Sequence, residues 1–166
     1  MTRGEPMRPL WICPECGKRF VNVRNWHSCR VVPLDSLFIG KGRARELFDD
    51  YLAAVRTIGP VDLDVKLGGV ALMTRVRFAY AKVRKDRLRI GFWLRRKATS
   101  PRVVRAEFVP PDNWIHEVDI RDRSELDEEL LAWLGEAYLI GEQRHPAQGR
   151  YRLAPDRGSC RRELRG

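Results

Sequence analysis

Cys13, Cys16, His27 and Cys29 are the residues whose types and spacing most directly specify a chemistry. Two cysteines separated by two residues can turn both sulfurs toward one point. Gly17, directly after them, permits the backbone turn that aims amide groups at those sulfurs. A second pair, His27 and Cys29, follows after ten intervening residues and completes four nitrogen and sulfur donors, the set a tetrahedral zinc ion prefers. With all four positions filled by protein there is no open coordination for a substrate, so the expected cofactor is a structural Zn. A module of about twenty residues buries little apolar surface, and metal binding would supply its folding energy. The competing reading is a redox dithiol, but Cys-x-x-Cys pairs of that kind are expected beside a βαβ pattern, and here only a short leader precedes them.

The run Cys13-Pro14-Glu15-Cys16-Gly17-Lys18-Arg19-Phe20 also resembles the opening of a two-cysteine, two-histidine DNA-binding finger, with Cys29 where that family has its third ligand. The fourth ligand, a histidine three to five residues further on, is missing: Pro33, Leu34 and Asp35 stand there. Base readout is therefore not carried over, and His27 is taken as the fourth ligand. The fourth cysteine, Cys160, stands apart in a basic tail, and clustering of the other three favours metal over two disulfides.

Other chemistry is less sharply marked. His116 lies on a strand with Trp114, Val118 and Ile120 on the same face, the setting of a structural histidine, and His145 opens the tail. Asp62, Asp64 and Lys66 share one strand face, a spacing compatible with metal-dependent phosphodiester hydrolysis but also with any strand that alternates charge outward. No phosphate-binding glycine loop or nucleophile motif is present, so enzymatic activity is unsupported. Charge gives the stronger lead. The net charge of +10 is segregated: residues 61–110 carry thirteen Lys/Arg against four acids, residues 111–145 carry ten acids against three arginines, and the end is basic again. If Val76, Phe78 and Tyr80 pack inward with Leu88, Ile90, Phe92 and Leu94, then Arg75, Arg77, Arg87, Arg89, Trp93 and Arg95 share the outer face. Arginines interleaved with an exposed Trp suit a phosphate backbone and base stacking. The alternatives are a protein-interaction or structural domain, in which this face or the acidic last helix meets an oppositely charged partner, and the metal-dependent hydrolase or nuclease already described.

The elements that would position these residues follow from periodicity. Leu47, Phe48, Tyr51, Leu52 and Val55 repeat at helical spacing over about 41–58, and Gly59-Pro60 stops that helix. Alternation predicts strands over 61–67, 70–80, 88–94, 103–109 and 114–120, with Gly68-Gly69 as a hairpin turn. A last amphipathic helix carries Leu126, Leu130, Trp133, Leu134, Ala137 and Tyr138 on one face, runs to about Gly141, and is expected to be capped from Ser124. The expected fold is α+β: a mostly antiparallel sheet of four to five strands, flanked by two main helices and preceded by a small zinc knuckle. The expected segments are a disordered leader (1–10), the knuckle (11–33), the α+β domain (34–143) and a basic mobile tail (144–166). No apolar run approaches the ~20 residues that span a bilayer, and the start lacks a secretory signal, which points to the cytoplasm.

Taken together, the segments 11–20, His27-Ser28-Cys29, Leu47-Phe48-Asp49 through Gly59-Pro60-Val61, and Leu126-Asp127 through Ala137-Tyr138 resemble a bacterial family, the domain of unknown function 5655, in versions that carry an N-terminal zinc knuckle. The resemblance spans about residues 11–143. It implies an α+β domain and no established activity.

Overall fold

The computed structural model describes residues 7–144. Residues 1–6 of the expected leader and residues 145–166 of the expected tail, His145 and Cys160 among them, lie outside the described residues. Within the described part, the chain divides after Val31 into two compact units.

The first unit is small. Strands β1 (Trp11–Ile12) and β2 (Arg19–Phe20) pair antiparallel, with Trp11 opposite Phe20. The turn between them is closed by Gly17 N–H on the Cys13 carbonyl (2.8 Å) and Cys13 N–H on the Lys18 carbonyl (2.9 Å). Gly17 stands at φ +71°, a left-handed backbone that a side chain would strain.

The second unit opens with a short 3-10 turn, Leu34–Phe38, and helix α1, Gly42–Ile58. α1 buries Ala44, Leu47, Phe48, Tyr51, Leu52 and Val55, the face its periodicity predicts. Six strands follow: β3 (Asp62–Lys66), β4 (Gly69–Met73), β5 (Arg77–Val83), β6 (Leu88–Leu94), β7 (Val103–Val109) and β8 (Asn113–Ile120). Every pairing is antiparallel, in the order β3-β4-β5-β6-β8-β7. The sheet thus has six strands rather than four to five. The difference arises where one strand was expected over 70–80: residues 74–76 bend the chain back, so β4 and β5 are separate, paired strands. That bend lacks Gly, Pro or Asn. It is held by Thr74 N–H on the Val76 carbonyl and by Val76 N–H on the carbonyl of Gly141, distant in sequence.

Helix α2, Glu128–Gly141, packs with α1 over one face of the sheet. Leu88, Ile90, Phe92 and Leu94 of β6 meet it there, with Phe92 stacked on Trp133 at 5.5 Å between centroids. The start of α2 differs from expectation. Asp127 is its N-cap, accepting the Leu130 N–H at 3.0 Å, while Ser124 sits inside a preceding 3-10 turn that Asp122 and Glu125 close as a capping box. No helix among the described residues is long and apolar enough to cross a membrane.

Strand β5 also departs from strict alternation. Leu72 is opposite Ala79 and Met73 opposite Arg77, so Phe78 is an extra residue in a β-bulge. A bulge of this kind lets two consecutive side chains share a face. Phe78 and Ala79 are both buried, and Phe78 packs edge-on to Tyr138 of α2 at 5.3 Å. Beyond the bulge the parity is reversed: Ala81 and Val83 face the helices. Tyr80, expected inward, stands instead on the outer face with Lys82.

Candidate metal centre and outer sheet face

The β1–β2 turn brings Cys13 and Cys16 together, and the segment after β2 returns His27 and Cys29 to them. One donor atom from each of the four lies within 4.8 Å of the others. Sγ of Cys13 and Cys29 are 3.9 Å apart, and His27 Nε2 is 3.2 Å from Cys16 Sγ and 3.5 Å from Cys29 Sγ. A regular tetrahedron with Zn–S of about 2.3 Å and Zn–N of about 2.0 Å has S···S edges of roughly 3.8 Å and S···N edges of roughly 3.5 Å. The cluster could therefore hold a metal ion, and its donors and spacing are compatible with zinc.

Further contacts prepare the donors. His27 Nδ1 lies 2.6 Å from the Asn25 carbonyl. Donating its proton there leaves Nε2 as a lone pair directed at the sulfurs, the outer-shell arrangement typical of metal-bound histidine. Cys13 and His27 are buried, and Phe20 lies against the imidazole at 4.4 Å with Trp11 edge-on at 6.3 Å. Burial works against the Cys13 thiolate, but backbone N–H groups of Cys16 and Glu15 outweigh it, and the thiol ionises below its ordinary value.

In the second unit, the sheet face opposite the helices carries the other candidates. Of the residues expected there, Arg77, Arg89 and Trp93 occupy it, with Arg87 and Arg95 flanking β6. Arg75 does not: it lies in the 74–76 bend and its Nε donates to Gln143 Oε1 at 3.1 Å. The face is also less basic than its arginines suggest. Arg89 makes a two-pronged bond to Asp119 (2.8 and 3.0 Å), Arg87 adds a contact to the same carboxylate at 3.5 Å, and Arg95 pairs with Asp112. The acids of β8 thus stand beside the arginines of β6 in the register Arg89–Asp119, Gly91–Glu117.

Glu117 is the residue of this face that sequence reasoning missed. It is 2 % exposed and accepts hydrogen bonds from the Tyr80 hydroxyl and from Lys82 Nζ (2.7 Å), with Arg89 and Arg105 guanidinium nitrogens each at 3.9 Å. Burial opposes its ionisation, yet the bonds from Lys82 and Tyr80 prevail and hold the carboxyl below its usual range. Burial first, and then Glu117, push the Tyr80 hydroxyl well above its ordinary value. Tyr80 lies over Gly91, where a Cβ would meet the ring at 2.0 Å, and edge-on to Trp93 at 5.6 Å. The Arg77 guanidinium sits 5.0 Å from the Trp93 ring centroid. The outcome is a half-buried aromatic pair with a cation above it and a neutralised charge cluster beside it.

The remaining candidates fall elsewhere. His116 is fully buried on the helix side, stacked on Phe92 at 5.5 Å, and its Nε2 accepts the Ala98 N–H at 2.9 Å; burial lowers its pKa. Asp62, Asp64 and Lys66 lie together on edge strand β3, with Lys66 Nζ 2.8 Å from Asp64.

The chain matches the family described as Domain of unknown function (DUF5655) over residues 35–141, and it belongs to that family. The match coincides with the α+β unit, and the Cys/His cluster precedes it. No curated protein and no solved structure matches the chain.

Proposed function

We propose that this DUF5655 chain is a zinc-containing nucleic-acid-binding module. In this reading Zn²⁺, held by Cys13, Cys16, His27 and Cys29, is structural: it orders the N-terminal unit, and four protein donors leave no coordination for a substrate. The observation that supports binding on the sheet is Arg77 stacked over Trp93 beside Tyr80, on the face the helices leave uncovered. An aromatic pair with an adjoining cation is the platform on which unpaired bases stack. Arg77 makes no ion pair among the described residues, whereas Arg87, Arg89 and Arg95 are engaged by acids. The phosphate contact is accordingly assigned to Arg77, since Lys82 and Arg105 are also engaged by acids, and one such contact corresponds to a salt slope of about −0.7 for a single strand.

The test is a salt-titrated binding series with single- and double-stranded DNA and RNA. Arg77→Glu and Trp93→Ala should each weaken single-strand binding at least about fivefold, the loss of one stacked base. Unchanged affinity in both would discard this face. A second reading is favoured by edge strand β7, where Val104 and Phe108 are 53 % and 47 % exposed. An extended protein segment could add to that edge, and a stable complex free of nucleic acid would support it.

A further inference from the structure

We infer that the N-terminal unit is a second nucleic-acid site, specific for single strands, with Trp26 as its stacking platform and Arg24 and Arg30 as its phosphate contacts. The site lies in a different unit from the sheet face and uses none of its residues. The starting observation is an indole in the wrong place for a core. Trp11 and Phe20 pack against His27 and account for the interior of this unit, while Trp26, the neighbour of that histidine, is 66 % exposed, as is Val23. Of the two tryptophans of this unit, Trp11 is packed inside and Trp26 is left in solvent.

Charge identifies the occupant. Residues 7–31 carry Arg8, Lys18, Arg19, Arg24 and Arg30 against Glu15 alone. In the zinc-loaded form three thiolates around a dication take away one further unit, which leaves residues 7–31 at +3. A cationic surface bearing a flat, exposed aromatic matches a phosphate backbone with bases to stack. In a duplex both faces of every base are already covered, so the indole is useful only to a single strand. An acidic protein segment would satisfy the cations but has no partner of comparable area for the indole face.

The platform is also held in shape. His27 Nδ1 bonds the Asn25 carbonyl at 2.6 Å, Asn25 Nδ2 donates to the Trp26 carbonyl at 3.3 Å, and Arg30 N–H donates to Ser28 Oγ at 3.2 Å. Arg24 adopts φ +54°, a left-handed conformation that side-chain-bearing residues seldom take and that fixes the loop's turn. The loop that carries Arg24 and Trp26 is thus tied to a metal ligand, and binding need not meet the cost of ordering it.

The experiment is fluorescence anisotropy of labelled oligo(dT) with the full chain loaded with Zn²⁺. Trp26→Ala should weaken binding between about 5- and 150-fold, the range of one lost base stack, with Trp26→Phe close to wild type. Arg24→Glu combined with Arg30→Glu should lower both affinity and salt slope. Zinc content equal to wild type in Trp26→Ala establishes that the unit remains folded. Wild-type affinity in that variant overturns the inference. So does a poly-glutamate peptide that binds as tightly as the oligonucleotide and is indifferent to Trp26→Ala, which would assign the surface to acidic protein. Loss of binding in Trp93→Ala alone contradicts this inference and leaves the sheet face standing; loss in Trp26→Ala alone contradicts the sheet face instead.

Discussion

Gly91 and Tyr80 face each other across strands β6 and β5, and the ring occupies the space a side chain at 91 would need. Gly91→Ala forces Tyr80 off that position and strains its hydrogen bond to Glu117. The expected cost is about 1–3 kcal/mol, the usual range for overpacking, read as a lower denaturant midpoint with an unchanged slope. A midpoint equal to wild type would mean the ring moves freely and the cluster is not rigid. Little of this was legible in the sequence. The Cys/His donors could be read because ligand spacing is local, and the structure brings those four residues together. Glu117 could not, because its partners Tyr80 and Lys82 depend on a bulge at Phe78 and on β8 pairing with β6, neither of which leaves a local mark. The same bulge explains why Tyr80 was expected inward.

At the scale of elements, the start of α2 joins two roles in one side chain. Asp127 accepts the Leu130 N–H and is also paired with Arg102 at 2.7 Å; the Arg102 bond, followed by the Leu130 N–H, lowers its pKa. Asp127→Ala removes the cap and the pair together and should destabilise the α+β unit by about 1–2 kcal/mol. Asp127→Asn keeps the cap and should recover most of that loss in thermal melts; equal losses in both variants would shift the effect from the cap to the ion pair. The helices and most strands were legible from their apolar periods, since each buries one face on a single core. The cap was displaced by three residues because Asp122, Ser124 and Asp127 are all good capping residues, and only the intervening 3-10 turn decides among them. The β4–β5 bend was hidden for a different reason: its stabilising acceptor, the Gly141 carbonyl, belongs to the last helix.

For the whole molecule, the charge segregation seen along the chain is partly cancelled in space. The acids of β8, of the turn before it and of α2 meet the arginines of β6 and of the segments flanking it, through Asp119 with Arg89, Asp112 with Arg95, and Glu136 with Arg96. What remains is a family domain over residues 35–141 and a separate N-terminal unit carrying four converging donors. Those four donors are proposed to hold one structural zinc ion. Elemental analysis of the protein purified under reducing conditions, with Cys16→Ser in parallel, tests it directly, combined with amide NMR spectra of both. One zinc ion per chain is expected in wild type and none in Cys16→Ser, where signals from residues 7–31 collapse while those of the α+β unit persist. A metal-free wild-type protein whose N-terminal unit is fully folded would contradict the account.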